Sequence, residues 1–247
     1  MKNIIIKKLS LLAVLVLIIS LIVPSFTTTS LAVKLPKKRT VIYYNTIVIA
    51  KGENINQYFY KSGKDYTNKA KWSTSNKKIA TIDKNGKIKA KKKGKVTITA
   101  KYGGKKYKCI VYVVSRKTLY EDKYIKIQTK YMTQSNNGAL PEQIDEKELK
   151  EIKLKVTNKT EKEYLFGATK LKLNSRNLKL GSRGYGNTYL EPKSAKDWSI
   201  ITTWSFGDAK FPENISKLKT VTATFKLSDK DSNKKIKTIN IKNKKVK

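Results

Sequence analysis

The side chains able to do chemistry are few in this 247-residue chain. There is no histidine and a single cysteine, Cys109. Without histidine the chain lacks the commonest general base and transition-metal ligand, and it can form no Ser–His or Cys–His nucleophilic pair. One cysteine excludes an intrachain disulfide and a zinc site of cysteine type. The carboxylates Glu142, Asp145, Glu146, Glu148 and Glu151 crowd one short segment. A glycosidase needs two carboxyls on opposite sides of a sugar, so the segment reads as a solvated acidic loop that could form a helical turn. Asp229-Lys230-Asp231-Ser232-Asn233 has the acidic spacing that starts a calcium loop. However, Lys234 and Asn240 stand where such a loop needs Gly and Glu, which leaves a polar hairpin turn. Gly181–Gly186 lacks the strand–loop–helix context of a phosphate loop.

What remains is binding chemistry. Lys91, Lys92 and Lys93 form a basic run that is either a solvated loop or an anion-binding patch. Arg183 and Tyr185 sit in the glycine-rich loop, where a rigid scaffold could carry a recognition site. No enzyme, metal or cofactor is expected.

Lys and Arg number 55 against 18 Asp and Glu, a formal charge of +37. Such a field favours anionic partners, namely wall polymers, phospholipid surfaces or nucleic acid; a merely solubilising lysine bias is the alternative. A nucleic-acid module, or a stripe of interleaved arginine and aromatic residues, is missing, so no specific nucleic acid is expected. Residues 1–32 have the three parts of a secretory signal: Lys2, Lys7 and Lys8, then the apolar run Leu9–Val23, then Pro24 and the small residues of Ser30-Leu31-Ala32. The run is short against the roughly 20 residues of a membrane span. The expectation is therefore cleavage, a mature chain without a transmembrane span, and secretion or retention at the cell wall, with an uncleaved anchor as the rival.

The elements that must position these residues are strands. From 37 to 115, short runs rich in β-branched and aromatic residues alternate with turn signals. Asn85-Gly86 marks a tight hairpin in which both residues take positive φ. Val96, Ile98 and Ala100 point one way and Thr97 and Thr99 the other. Cys109 shares a face with Tyr107, Val111 and Val113, so it is expected to be buried and inert. Trp72 is expected in the core between two sheets, with carbohydrate stacking as the alternative.

Lys51-Gly52-Glu53, Trp72-Ser73-Thr74-Ser75-Asn76, Ile79-Ala80-Thr81-Ile82-Asp83, Asn85-Gly86-Lys87-Ile88-Lys89-Ala90, Gly94 and Val96-Thr97-Ile98-Thr99-Ala100 together resemble the bacterial immunoglobulin-like domain of group 2. Tyr43-Tyr44-Asn45 and Tyr58-Phe59-Tyr60 are more aromatic than that pattern. The resemblance implies a non-catalytic module of secreted and surface proteins, found in adhesins or as a spacer in wall-associated enzymes. From 116 to 247 strand signals continue. Ile152, Leu154 and Val156, then Trp198, Ile200 and Trp204, then Val221, Ala223, Phe225 and Leu227 each share a parity. Lys153–Phe166 resembles Ig-like domains of unknown function in secreted proteins of Gram-positive bacteria. The expected fold is all-β: two tandem Ig-like β-sandwich domains, 37–115 and 116–247, behind a signal peptide at 1–32. The expected function is a secreted, non-catalytic envelope protein that binds an anionic cell-wall or surface polymer through its basic surface. The alternative is an adhesin-type module for a host protein or glycan.

Overall fold

The computed structural model describes residues 40–135, 150–174, 176–178, 187–202 and 214–247. The leader expected at 1–32 lies outside them. In chain order the strands are β1 (Thr40–Ile42), β2 (Tyr44–Ala50), β3 (Asn54–Asn56), β4 (Phe59–Lys61), β5 (Lys64–Asp65), β6 (Lys71–Thr74), β7 (Ala80–Ile82), β8 (Lys87–Ala90), β9 (Gly94–Tyr102), β10 (Lys105–Val114), β11 (Thr118–Glu121), β12 (Ile125–Ser135), β13 (Lys150–Asn158), β14 (Tyr164–Leu173), β15 (Arg176–Leu178), β16 (Thr188–Leu190), β17 (Ala195–Thr202), β18 (Thr220–Asp229) and β19 (Lys235–Lys245). The only helical elements among the described residues are two 3-10 turns of three residues each, so the all-β expectation holds.

One sheet runs through both halves of the chain, in the order β17-β13-β12-β2-β10-β9-β6, with β11 paired to β12. Strand β2 is its pivot. It pairs in parallel with β10, Thr46 opposite Ile110, and antiparallel with β12, Ile49 opposite Tyr131. Both edges of β2 are thus hydrogen-bonded, and Thr46–Ala50 are all buried. An unbroken apolar run is what a strand covered on both faces requires. Alternation along β2 then divides its side chains between two cores. Ile47 and Ile49 pack with Phe59, Ile98 and Val111, whereas Val48 packs with Ile127, Phe166 and Phe225.

The first core is closed by the small sheets β1-β4-β5 and β3-β8-β7, and the second by β15-β14-β18-β19, with β16 on β14. Strand β10 divides in the same way as β2: Cys109, Val111 and Val113 face the first core, Tyr112 and Val114 the second. In β12 a register shift between Thr129 and Tyr131 reverses parity. Ile125, Ile127 and Met132 therefore enter the second core, while Tyr131 packs against the first. The two sandwiches expected at 37–115 and 116–247 are joined through this sheet, and residues 37–247 form one compact unit.

Three local expectations change. Asn85 does not take positive φ. The turn spans Asp83–Gly86, closed by the Gly86 N–H donating to the Asp83 carbonyl at 3.1 Å, and only Gly86 (φ +77°) is left-handed. The Asp83 carboxylate accepts from the Asn85 and Lys87 amides and thereby fixes the turn. A side chain at 86 would also be blocked, because a Cβ there would lie 2.1 Å from the Gln57 carbonyl oxygen. Trp72 is half-buried at the rim of the first core, since β6 is the sheet edge, and its Nε1–H donates to the Thr67 carbonyl at 2.8 Å. Glu151 lies in β13 instead of the acidic loop and pairs with Lys153 at 3.1 Å. Trp198 is buried against Phe225 at 5.2 Å between ring centres, and Asp229–Asn233 is a hairpin turn in which the Asp229 carboxylate accepts from Ser232.

Candidate functional site

Two surface features gather polar and aromatic groups. The first lies where β12 crosses β2. Glu53, from the tight turn after β2, pairs with Arg116 and lies 3.9 Å from Lys130 of β12. Lys130 is held at 2.6 Å by Asp197 of β17. Beside this chain of charges is a cleft of about 260 Å³ lined by Tyr44, Asn54, Ile55, Asn56, Tyr58, Lys130 and Tyr131. Its polar lining follows from period two on β3: Ile55 is buried in the first core, so Asn54 and Asn56 both face outward. Gln57 is fully buried and anchors the aromatic wall. Its Oε1 accepts from the Tyr44 amide at 2.8 Å and the Tyr58 amide at 3.1 Å, and its Nε2 donates to the Tyr44 carbonyl at 2.9 Å. Tyr43 packs on Tyr44 at 4.6 Å and on Tyr58 at 6.1 Å behind it. Burial, reinforced by the neighbouring tyrosines and Glu151, pushes the Tyr44 hydroxyl well above its ordinary value, so it stays a neutral donor. Burial also raises Tyr131, against the opposing effect of Lys153, whose ammonium lies 5.2 Å from its ring centre.

The second feature is the outward face of the main sheet at its β6 end. Register places Lys71 of β6 opposite Lys101 of β9, and Lys101 opposite Lys106 of β10. The next rank is Ser73, Thr99 and Lys108. All four lysines are exposed. None has a carboxylate within salt-bridge distance among the described residues. Strand spacing sets the three-lysine rank about 10 Å across. Like charges directly opposite one another are destabilising, so the rank works against the stability of its own sheet.

Among the residues singled out in the sequence, Lys91, Lys92 and Lys93 are exposed in the loop between β8 and β9. The Ile79 carbonyl fixes that loop by accepting from the Lys91 amide at 2.8 Å and the Lys92 amide at 3.1 Å. Arg183 and Tyr185 lie outside the described residues. Cys109 is wholly buried, and burial pushes its thiol far above the ordinary range. The tyrosine cleft escaped sequence reasoning because its walls come from β2, β3, the β3–β4 connection and β12; the spacing of Asn54 and Asn56 around a core isoleucine and the extra tyrosines Tyr44 and Tyr58 were its local signals. The lysine rank needed strand register to appear.

Residues 39–111 match the family model described as bacterial Ig-like domain (group 2). No curated protein sequence matches the chain. A solved structure titled "Structure of the S-layer protein SbsC, domains 5-6" is 15% identical, covering 82% of this chain and 97% of that one with a TM-score of 0.27. A superposition that loose does not establish a shared fold. The family match ends inside β10, one strand short of the crossing into the second core, and the motifs it spans are those that build the first core. Over residues 39–111 the chain is therefore similar to the bacterial Ig-like domain of group 2.

Proposed function

We propose that this is a secreted, non-catalytic protein of the bacterial envelope, held to an anionic wall or surface polymer by its basic surface. The observation that carries the reading is the unneutralised rank Lys71–Lys101–Lys106 with Lys108 beside it. A polyanion laid across the sheet would relieve the repulsion among these ammonium groups and gain Coulomb energy at each. Lys91, Lys92 and Lys93 would add to the same field. The family match supports a module that is non-enzymatic in kind.

Export and surface location rest on the leader-like sequence at 1–32 and on the family. Sedimentation with purified wall sacculi tests the reading. Bound protein should fall steeply as salt rises and be released by about 0.5 M, where the screening length is only a few Å. Binding indifferent to salt would overturn it and point instead to a specific receptor on another surface.

A further inference from the structure

The tyrosine cleft differs electrically from the rest of the surface. Of the cations around it, Arg116, Lys130 and Lys153 pair with Glu53, Asp197 and Glu151, while Lys89 and Lys87 of β8 stand exposed opposite Asn54 and Asn56 at its rim. On the β12 side of the cleft three positive charges therefore meet three negative ones, on a chain whose formal charge is +37. Lys130, the one charged group in the lining, is already engaged by Asp197 and Glu53. A phosphate or carboxylate ligand inside the cleft would have to displace those partners to reach Lys130.

Its remaining lining consists of three half-buried tyrosines, the buried Ile55 and the outward amides of Asn54 and Asn56, which have no protein hydrogen-bond partner among the described residues. The two amides are about 7 Å apart along β3. An amide offers both a donor and an acceptor, which suits vicinal hydroxyls. Aromatic faces suit the apolar C–H faces of a pyranose ring, and the buried Gln57 holds the Tyr44 and Tyr58 backbone so that little order has to be gained on binding.

We propose that this cleft is a binding site for an uncharged oligosaccharide, with Tyr44, Tyr58 and Tyr131 as the stacking wall and Asn54 and Asn56 as the hydroxyl-reading groups. This is a second site, independent of the lysine rank and different in chemistry.

The test is NMR titration of the protein's asparagine side-chain amide signals with chitotetraose, cellotetraose and maltotetraose, each in about 0.5 M NaCl, where attachment through the lysines is screened out. Chitotetraose stands for the amino-sugar backbone of a wall glycan, the other two for hexose glycans. The expected result is saturable movement of the Asn54 and Asn56 amide signals with one of the three, at a Kd of about 1 mM or tighter. Asn54→Ala with Asn56→Ala should weaken that binding about tenfold or more, as expected when two ligand hydrogen bonds are lost. Both side chains are exposed and unpartnered, so the double variant keeps its fold; Tyr58→Ala should give the same loss through the wall. If none of the three sugars moves these signals, or if the asparagine and tyrosine variants bind as the parent does, the proposal is wrong. Neither result bears on retention by wall polymers, which is read at low salt.

Discussion

Val48 belongs by sequence to the first half of the chain, and by packing to the core of the second. It is 1% exposed and sits among Ile127, Phe166 and Phe225, while its neighbours Ile47 and Ile49 face the other way. Val48→Ala removes two buried methyl groups from the second core. At about 0.8 kcal/mol per buried carbon the transfer loss is about 1.6 kcal/mol. The cavity left behind raises the total to about 2 kcal/mol. For a domain of this size a urea m-value near the upper end of about 1–3 kcal/mol/M turns this into a midpoint shift of about 0.7–1 M. The assay is urea unfolding followed by tryptophan fluorescence in two single-tryptophan backgrounds, one keeping Trp72 at the rim of the first core and one keeping Trp198 in the second. Because β2 is a hydrogen-bonded strand of one sheet serving both cores, both probes should report the same midpoint and both should shift. If Trp72 reports no change while Trp198 moves, the two cores unfold independently and the shared-strand reasoning fails.

Other consequences are local. Gly86→Ala should cost roughly 3 kcal/mol, because it combines a left-handed backbone with a clash against the Gln57 carbonyl; thermal melting of the purified variant measures it. Burial alone would raise the Asp122 carboxyl, but hydrogen bonds from Lys237, the Ile125 amide, the Tyr120 hydroxyl and the Tyr124 amide outweigh this and hold it at about 2. Its folded value is depressed, so its contribution is complete above its unfolded value near pH 4 and is lost as pH falls through about 2. Urea midpoints measured between pH 5 and pH 2 should therefore fall less steeply in Asp122→Asn than in the parent. The Cys109 thiol should resist an aromatic disulfide reagent in the folded protein and react fully in denaturant; prompt reaction in the native state would contradict its burial.

Period-two patterns carried most of the fold. The alternation of Val96, Ile98 and Ala100, of Ile152, Leu154 and Val156, and of Val221 through Leu227 reports faces correctly, because each of these strands has one covered face and one open. Where both faces are covered, alternation vanishes. The run Thr46–Ala50 lacks alternation but could not say what covers its second face, since Val48 packs there against Phe166 and Phe225, from strands more than a hundred residues away. Glu53 shows the same limit. Its turn was visible in the sequence, whereas its pairing with Arg116 and its approach to Lys130 depend on where β12 crosses β2. The Asn85-Gly86 turn went astray because Asp83 offers its carboxylate to two amides and draws the turn one residue wider than a two-residue hairpin. Candidate sites were least legible. Lys91, Lys92 and Lys93 stand out as a contiguous run, but Lys71, Lys101 and Lys106 are dispersed in sequence and become neighbours only through register.

The most direct test of polymer retention through the lysine rank compares two variants of equal net charge. One carries Lys71→Gln, Lys101→Gln, Lys106→Gln and Lys108→Gln; the other carries Lys84→Gln, Lys91→Gln, Lys92→Gln and Lys93→Gln. Affinity for purified wall sacculi is measured at low salt. At about 0.3–0.5 kcal/mol for each exposed ionic contact, the rank variant should lose roughly tenfold or more, and the loop variant distinctly less. Equal losses in the two variants would contradict the account, because bulk charge and not the arrangement on the sheet would then be what holds the protein to the wall.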